Sequence, residues 1–572
     1  MSDKCLICTQ EIDEPTIQEH IAANHANTAP SVEKIYPEIY DDIFDEEGEL
    51  RPTFQSDDTV TVGNTDDESS ESETPSQSDD PGGQSADPDE AGAGLAMSDT
   101  SAQPDSTVGT AGSLGGPTGN KWSMIGVGGA GNHILDAVLM RRDTLREENN
   151  PLAGVWEGGL GSYVGLNTNL AELGETYYAR EDQEFAREAL VTNGMIGYRE
   201  HNYGGAGRNW KFGREMTQKD FEGEKNAIMD RLGLTVRDLE ASQAIMFVHS
   251  VTKGTGCGAT PVLAENVREL VTQGTGDASR RAYSKPLLSS VVLPSGQEFG
   301  ASEMVRGVVG MAYLSKAVDA IIPFDNSMLE NPPADLAVDI DQELIETYNP
   351  PMYTDINRLL VTFLEAFTMS STPQSADTAG TARINGEVFD VPDSYRPVQR
   401  KYSTGTDHDY KPAVVMAPVI GKTGARTFDR SRLDTLARST LLQGQLVEFD
   451  PKTAWGGTFI VYGPEEKMEE LAPLLKRDEL RSILGGEDFL DRAGFEGPNS
   501  IDLYVDQLVV PHVEDVHLWG LLWNPHLPTL EEMYDHAREL IEHSDSVEAT
   551  ELREIWDTVE PLFDALGREN MG

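Results

Sequence analysis

The run Phe247-Val-His-Ser-Val-Thr-Lys-Gly-Thr-Gly-Cys-Gly-Ala-Thr-Pro261 limits the fold more than any other part of the chain. It opens as an apolar strand, Ala244 to Val248, and breaks at Gly254, Thr255, Gly256, Cys257 and Gly258. A helical pattern then runs through Val262, Leu263, Val267 and Leu270. Strand, glycine turn and helix start, in that order, form a phosphate-binding arrangement. Glycines let backbone N–H groups converge, and the free N–H groups at a helix start carry partial positive charge. Pro261 is expected at an early helix position, where a missing N–H costs little. A plain strand-to-helix connection would not need so many glycines and hydroxyls in so short a run.

Two further glycine clusters point the same way. Trp122-Ser-Met-Ile-Gly-Val-Gly-Gly-Ala-Gly-Asn-His-Ile reads as strand, turn and helix, with Gly126, Gly128 and Gly131 in a G-x-G-x-x-G pattern. That pattern also fits a dinucleotide-binding dehydrogenase, which needs an acidic residue at the end of the second strand. Here the next strand, Gly161 to Leu166, ends in Asn167, Thr168 and Asn169. The third cluster is Gly204-Gly-Ala-Gly-Arg-Asn-Trp-Lys-Phe-Gly213. Three separate loops suggest several edges of one nucleotide, held by Gly128, Gly129, Ala130, Gly131, Asn132, Asn167, Thr168, Gly205, Ala206 and Gly207. Strands Leu287–Leu293 and Val318–Ile322 follow. The second ends at Asp325 and Asn326, where open α/β sheets bind ligands. Asn amides carry both donors and an acceptor, which suits a purine edge. Asp355 to Ser370 shows a wide apolar stripe for a buried helix, and Asn357 at its start can reach a base.

Strands are expected at Ala413–Ile420, Thr458–Tyr462, Ile501–Val509 and Val516–Leu522. Helices are expected at Leu433–Leu442 and Lys467–Leu484, then from Leu530 to Ile541 and from Ala549 to Leu566. The fold class is therefore α/β: a Rossmann-like domain with a parallel sheet, a long central helix and a second, smaller α/β domain. The expected divisions are a zinc-finger-like unit (1–27), an acidic disordered linker (28–119), a nucleotide-binding domain (120–354), the central helix and its following loop (355–405), the second α/β domain (406–526) and C-terminal helices (527–572).

The formal net charge is -54, from 44 Lys+Arg against 98 Asp+Glu, and acidic residues are dense in the folded part as well as the tether. Such a surface repels nucleic acid and anionic lipid. It suits a salt-adapted, halophilic and cytoplasmic protein, because salt screens the self-repulsion. There are three cysteines, an odd count that argues against a secreted disulfide scaffold. No apolar run reaches transmembrane length, and no signal peptide is expected. Cys5, Cys8, His20 and His25 have the order Cys-x2-Cys-x11-His-x4-His, which can close a tetrahedral zinc site. Incidental cysteines and histidines in a disordered start are the alternative. The finger helix carries no Arg or Lys, so a protein partner is expected rather than DNA. Residues 41–119 are mostly Asp, Glu, Ser, Thr, Gly and Pro, a composition that cannot offset its ordering entropy by burial.

Taken together, these motifs resemble the tubulin/FtsZ superfamily. Ser250 to Pro261 resembles its phosphate-binding signature, and Gly205-Ala-Gly-Arg-Asn-Trp-Lys-Phe-Gly the Gly-Ala-Gly-Asn-Asn-Trp loop of tubulins. Gly126–Asn132 and Leu166-Asn-Thr-Asn resemble FtsZ loops. Phe324-Asp-Asn-Ser-Met-Leu resembles the tubulin guanine loop. The mixture is similar to the archaeal CetZ branch and covers roughly residues 121–524; the finger and tether lie outside the family pattern. The resemblance implies a GTP/GDP-binding GTPase, possible Mg2+, and head-to-tail self-assembly for cell division or cell shape. It also implies an active site completed between subunits, with Asp390 and Asp393 matching the acidic positions of an Asn-x-Asp-x-x-Asp loop and Val388 replacing its Asn. A non-hydrolysing GTP-binding regulator or scaffold, recruiting partners through its zinc finger, is the alternative reading.

Three departures bear on turnover. Lys253 replaces a glycine and either neutralises phosphate charge or hinders backbone approach. Cys257 replaces a hydroxyl-bearing residue and is a candidate reactive thiol. Asn169 replaces an acidic residue, which weakens magnesium coordination, so slow hydrolysis is expected. Zinc in such units contributes about 10–16 kcal/mol to folding. The full-length protein should therefore carry zinc by elemental analysis, and Cys8→Ser should abolish it.

Overall fold

The computed structural model describes residues 122–181, 195–196, 205–223, 242, 244–273, 285–294, 300–329, 336–371, 382–383, 413–474, 502–510, 513–563 and 566. All belong to one unit, Gly115–Gly572. Cys5, Cys8, His20 and His25, the acidic tether, Val388, Asp390 and Asp393 lie outside the described residues.

The first half alternates strand and helix. Strand β1 (Trp122–Val127) runs directly into helix α1 (Gly128–Glu147), and β2 (Leu160–Leu166) follows. Helix α2 (Trp210–Gly223), β3 (Ala244–Ser250), α3 (Gly254–Gln273), β4 (Leu287–Leu293), α4 (Ala301–Ala317) and β5 (Ala320–Asp325) complete this half. The strands are buried over nearly their whole length, as expected where helices cover both faces of a parallel sheet. Helix α5 (Thr354–Ser371) leads to the second half. That half holds β6 (Ala382–Arg383), β7 (Val414–Thr423), α6 (Arg430–Gln443), β8 (Gly456–Gly463), β9 (Asp502–Val509) and β10 (Val516–Trp523). Helices α7 (Pro528–His543) and α8 (Val547–Phe563) follow and pack on α4.

The strands form one ten-stranded sheet in the order β2-β1-β3-β4-β5-β7-β10-β8-β9-β6. From β2 to β7 every pairing is parallel, β10 is antiparallel to both its neighbours, and β8 and β9 are parallel. The α/β class, the parallel sheet and the long central helix read from the sequence are those observed. The expected helix from Lys467 is described as Glu465–Leu471. Pro261 lies within α3 rather than at its start, because the glycine run itself is helical from Gly254.

Helix α5 explains how the halves cohere. It is buried on all sides from Leu359 to Ser370, the pattern of a helix inside a core. Phe363 meets Phe324 of β5 at 5.3 Å and Trp519 of β10 at 5.1 Å between ring centroids. Phe367 meets Trp122 of β1 edge-on at 5.8 Å. One helix thus carries aromatic contacts from both halves of the sheet. Its Glu365 is buried but paired: Arg141 of α1 donates to it at 3.0 Å, and the Trp156 indole at 3.1 Å. Arg141 also donates to the Asp339 carbonyl at 2.7 Å. Removing one partner from such a buried pair typically costs about 3–5 kcal/mol.

Asp136 of α1 has no such partner. It is fully buried; Oδ1 accepts from the Tyr178 N–H at 3.3 Å, while Oδ2 accepts no hydrogen bond among the described residues. Burial pushes its carboxyl up from 3.8 to about 8, against smaller opposing contributions from the Tyr177 and Tyr178 backbone. The folded state therefore holds this proton more tightly than the unfolded chain. The associated stability is complete below about pH 4 and is lost as pH rises towards 8. Asp136→Asn keeps the acceptor and removes the ionisation. Its melting temperature should gain on that of the unsubstituted chain as pH rises, by about 5 °C at pH 9, in thermal scans followed by circular dichroism.

Candidate functional site

The carboxyl ends of β1, β2, β3 and β5 open into a cavity of about 380 Å³, a volume within the range of small-molecule sites. Close backbone contact shapes its floor. Gly128 has φ +71°, and a Cβ there would lie 3.2 Å from the Gly256 nitrogen. The first turns of α1 and α3 therefore touch each other directly. A Cβ on Gly131 would lie 2.1 Å from the Val248 carbonyl oxygen, so α1 rests on the backbone of β3. A Cβ on Gly254 would come within 2.8 Å of Ala206 and of the Asn209 nitrogen, which brings the Gly205–Gly207 loop over the start of α3.

Thr168 ties three loops together. Its hydroxyl lies 2.7 Å from that of Thr255 and accepts from the Ala206 N–H at 3.0 Å. Beside it, Asn167 donates to Glu172 at 3.0 Å and accepts from the Asn169 N–H at 3.2 Å. Asn169 caps the next short helix by accepting from the Ala171 N–H at 3.1 Å. Ser250 and Thr252 share a 2.9 Å hydroxyl contact under the loop. The first residues of α1 and α3 line the cavity, and the N–H groups of a helix's first turn lack i−4 partners, so both helix starts can offer donors to an anion.

The opposite wall suits a flat polar ring. Asn326 begins a short helix after β5, is buried, and its Oδ1 has no hydrogen-bond partner among the described residues. Asn357 donates to Asn349 at 2.5 Å. Tyr353 and Ile356 line the same wall and add aromatic and aliphatic surface.

Of the residues chosen from the sequence, the cavity brings together Gly128, Gly129, Ala130, Asn167, Thr168, Gly205, Ala206, Gly207, Gly254, Thr255, Gly256, Asn326 and Asn357. Five lie behind it. Gly131 sits against β3, and Gly258 against Trp210, whose carbonyl oxygen is 2.0 Å from where a Cβ would be. Asn132 donates to the Leu166 carbonyl at 3.3 Å and accepts from Tyr178 at 3.1 Å. Asp325 accepts from Thr529 at 2.8 Å. Cys257 is buried and donates to the Arg306 carbonyl at 3.1 Å. Burial pushes its thiol up to about 12, which removes the reactivity expected of it.

Sequence reasoning missed His133, Glu172, Arg208 and Tyr353 as lining residues. Helical spacing supplied a signal for two of them: His133 is four residues from Gly129, and Tyr353 is three and four residues from Ile356 and Asn357. Burial, the largest influence, lowers the His133 pKa, so its imidazole is neutral near pH 7. Among the described residues, no group of three or more His, Cys, Asp or Glu could hold a metal ion. No described helix is long and apolar enough to cross a membrane.

Residues 121–332 match the GTPase domain model of the tubulin/FtsZ family. That span contains all three glycine loops and the Asp325–Asn326 turn. A curated relative, the tubulin-like protein CetZ of Pyrococcus abyssi (strain GE5 / Orsay), is 23% identical over 196 residues. The match spans 34% of this chain and 44% of that relative, so the chain covers less than half of the relative's length. Among solved structures, the GDP-bound CetZ1 monomer from Haloferax volcanii is 18% identical, with 73% of this chain and 99% of that one covered, at a TM-score of 0.48. The GTPgS-bound CetZ2 protofilament from Haloferax volcanii is 16% identical, covering 74% and 100%, at 0.49. An empty FtsZ dimer from M. jannaschii is 19% identical, covering 71% and 88%, at 0.42.

The Gly258 contact makes α2 and α3 one support for the loop. Gly258→Ala should separate these helices and destabilise the protein by roughly 2 kcal/mol or more, measured as a lower urea midpoint with an unchanged m-value.

Proposed function

We propose that the chain is a GTP-binding cytoskeletal protein that takes GTP or GDP in this cavity, assembles head to tail and hydrolyses GTP where two subunits meet. One observation carries the base preference: the buried, unpartnered Oδ1 of Asn326 on the cavity wall. Guanine offers that acceptor a ring N–H and an amino group, whereas adenine sets a bare ring nitrogen at the corresponding edge. The two helix starts and the Thr168–Thr255 floor suit the phosphates, and the family-model match over 121–332 supports the nucleotide class.

Head-to-tail contact is heterologous, so it propagates into a filament. In this reading Asp390 and Asp393 of one subunit enter the cavity of the next, where a carboxylate orients water in line with the γ-phosphate. Zn2+ at Cys5, Cys8, His20 and His25 would serve a protein partner. A second reading, a nucleotide-binding scaffold that does not hydrolyse, draws on Asn169, whose side-chain oxygen is committed to a helix cap.

Turnover against protein concentration distinguishes these readings. GTP hydrolysis per subunit should rise with concentration, and Asp393→Ala should retain GTP binding while slowing turnover roughly 100-fold. A rate per subunit that is flat with concentration overturns the shared site, and retention of ATP over GTP overturns the base assignment.

A further inference from the structure

The charges around the cavity run against those of the chain. In a protein with 98 acidic and 44 basic residues, Glu172 is the only carboxylate among the described lining residues. One of its oxygens already accepts from Asn167. Asn169 offers an amide whose oxygen is occupied by the Ala171 N–H. Magnesium at a nucleotide is ordinarily held by one or two carboxylates together with phosphate oxygens and water. A single carboxylate, with one oxygen already accepting from Asn167, is the minimum of that ligand set.

The same wall carries a cation. Lys253 immediately precedes α3, the position next to the free N–H groups of the phosphate loop. Its Nζ lies 5.6 Å from the centre of the Tyr353 ring, on the cavity side, and it has no carboxylate partner among the described residues. An ammonium resting on an aromatic face is held by only about 0.5–1 kcal/mol when solvent reaches it. A phosphate oxygen is a much stronger partner for it. Lysine has a flexible four-carbon stem that lets its charge follow the ligand, which a backbone N–H cannot do. Arg208, at φ +64° on the tip of the Gly205–Asn209 loop, adds a second positive charge at the cavity's edge.

We propose that Lys253 takes over the charge-neutralising role that a divalent cation would otherwise fill, so that this chain holds guanosine diphosphate without a metal. This inference rests on the nucleotide reading above. It assigns Lys253 a binding role: the ammonium and the helix-start N–H groups share the phosphate charge.

Titration of the full-length protein with GDP, by calorimetry in EDTA and again in excess Mg2+, tests it. The unsubstituted chain should bind with affinities that agree within about threefold between the two conditions. Lys253→Gln should bind about tenfold or more weakly in EDTA, the size of one charge-assisted hydrogen bond, and recover part of the loss in Mg2+. Lys253→Arg should keep binding in EDTA, which separates loss of charge from loss of fold. A loss of about tenfold or more by the unsubstituted chain in EDTA overturns the proposal, because a metal then carries the charge. Equal binding in EDTA by Lys253→Gln and the unsubstituted chain overturns it as well. Binding of GDP in neither condition overturns the nucleotide reading itself, and the proposal with it.

Discussion

Backbone-to-backbone approach at a few glycines sets the geometry of everything near the cavity. Helix α1 lies against β3 at Gly131, α3 against α2 at Gly258, and the two helix starts against each other at Gly128 and Gly256. A side chain at Gly131 or Gly258 would occupy space already filled by a carbonyl, and one at Gly128 would press on the Gly256 amide. The helices are thereby placed with their N-termini converging, and their first residues become part of the lining. The positive character of the cavity floor is a by-product of this packing, and Lys253 and Arg208 add formal charge to it.

The role of each glycine in that packing was only partly legible in the chain. Strand-turn-helix runs were visible as apolar stretches broken by glycines, and the buried strands from β1 to β5 came out close to their observed limits. What the pattern could not separate was glycines that face a ligand from glycines that face another backbone. Gly131 and Gly258 look like their neighbours in the sequence, yet they face β3 and α2. Asn132 and His133 show the same difficulty. One helical step moves the side chain from a buried clasp with Tyr178 to the cavity wall, a difference the glycine pattern does not encode. Cys257 was misread for a related reason: its burial depends on α4, which lies far along the chain and sets no local signal.

Burial also decides how the titratable groups behave. Asp136 and Cys257 both hold their protons above the usual range because they sit where charge is poorly solvated. Glu365 is comparably buried but has Arg141 and Trp156 to satisfy it. Two carboxylates near α1 therefore play opposite parts. One clamps α1 to the central helix, and the other is a pH-dependent weakness one turn beyond the cavity.

The sheet is continuous, but its two halves meet through a narrow seam. Strand β5 registers with β7 at Ala320↔Val414 and Ile321↔Val415, two rungs, whereas β10 and β7 share eight. Stiffness across a ladder grows with the number of its rungs, so this seam holds less firmly than the β7–β10 ladder beside it. Helix α5, gripped by Phe324 and Trp122 on one side and Trp519 on the other, acts as the shaft alongside it. The helix that bridges the seam also reaches the cavity, because its first turn carries Ile356 and Asn357 on the cavity wall.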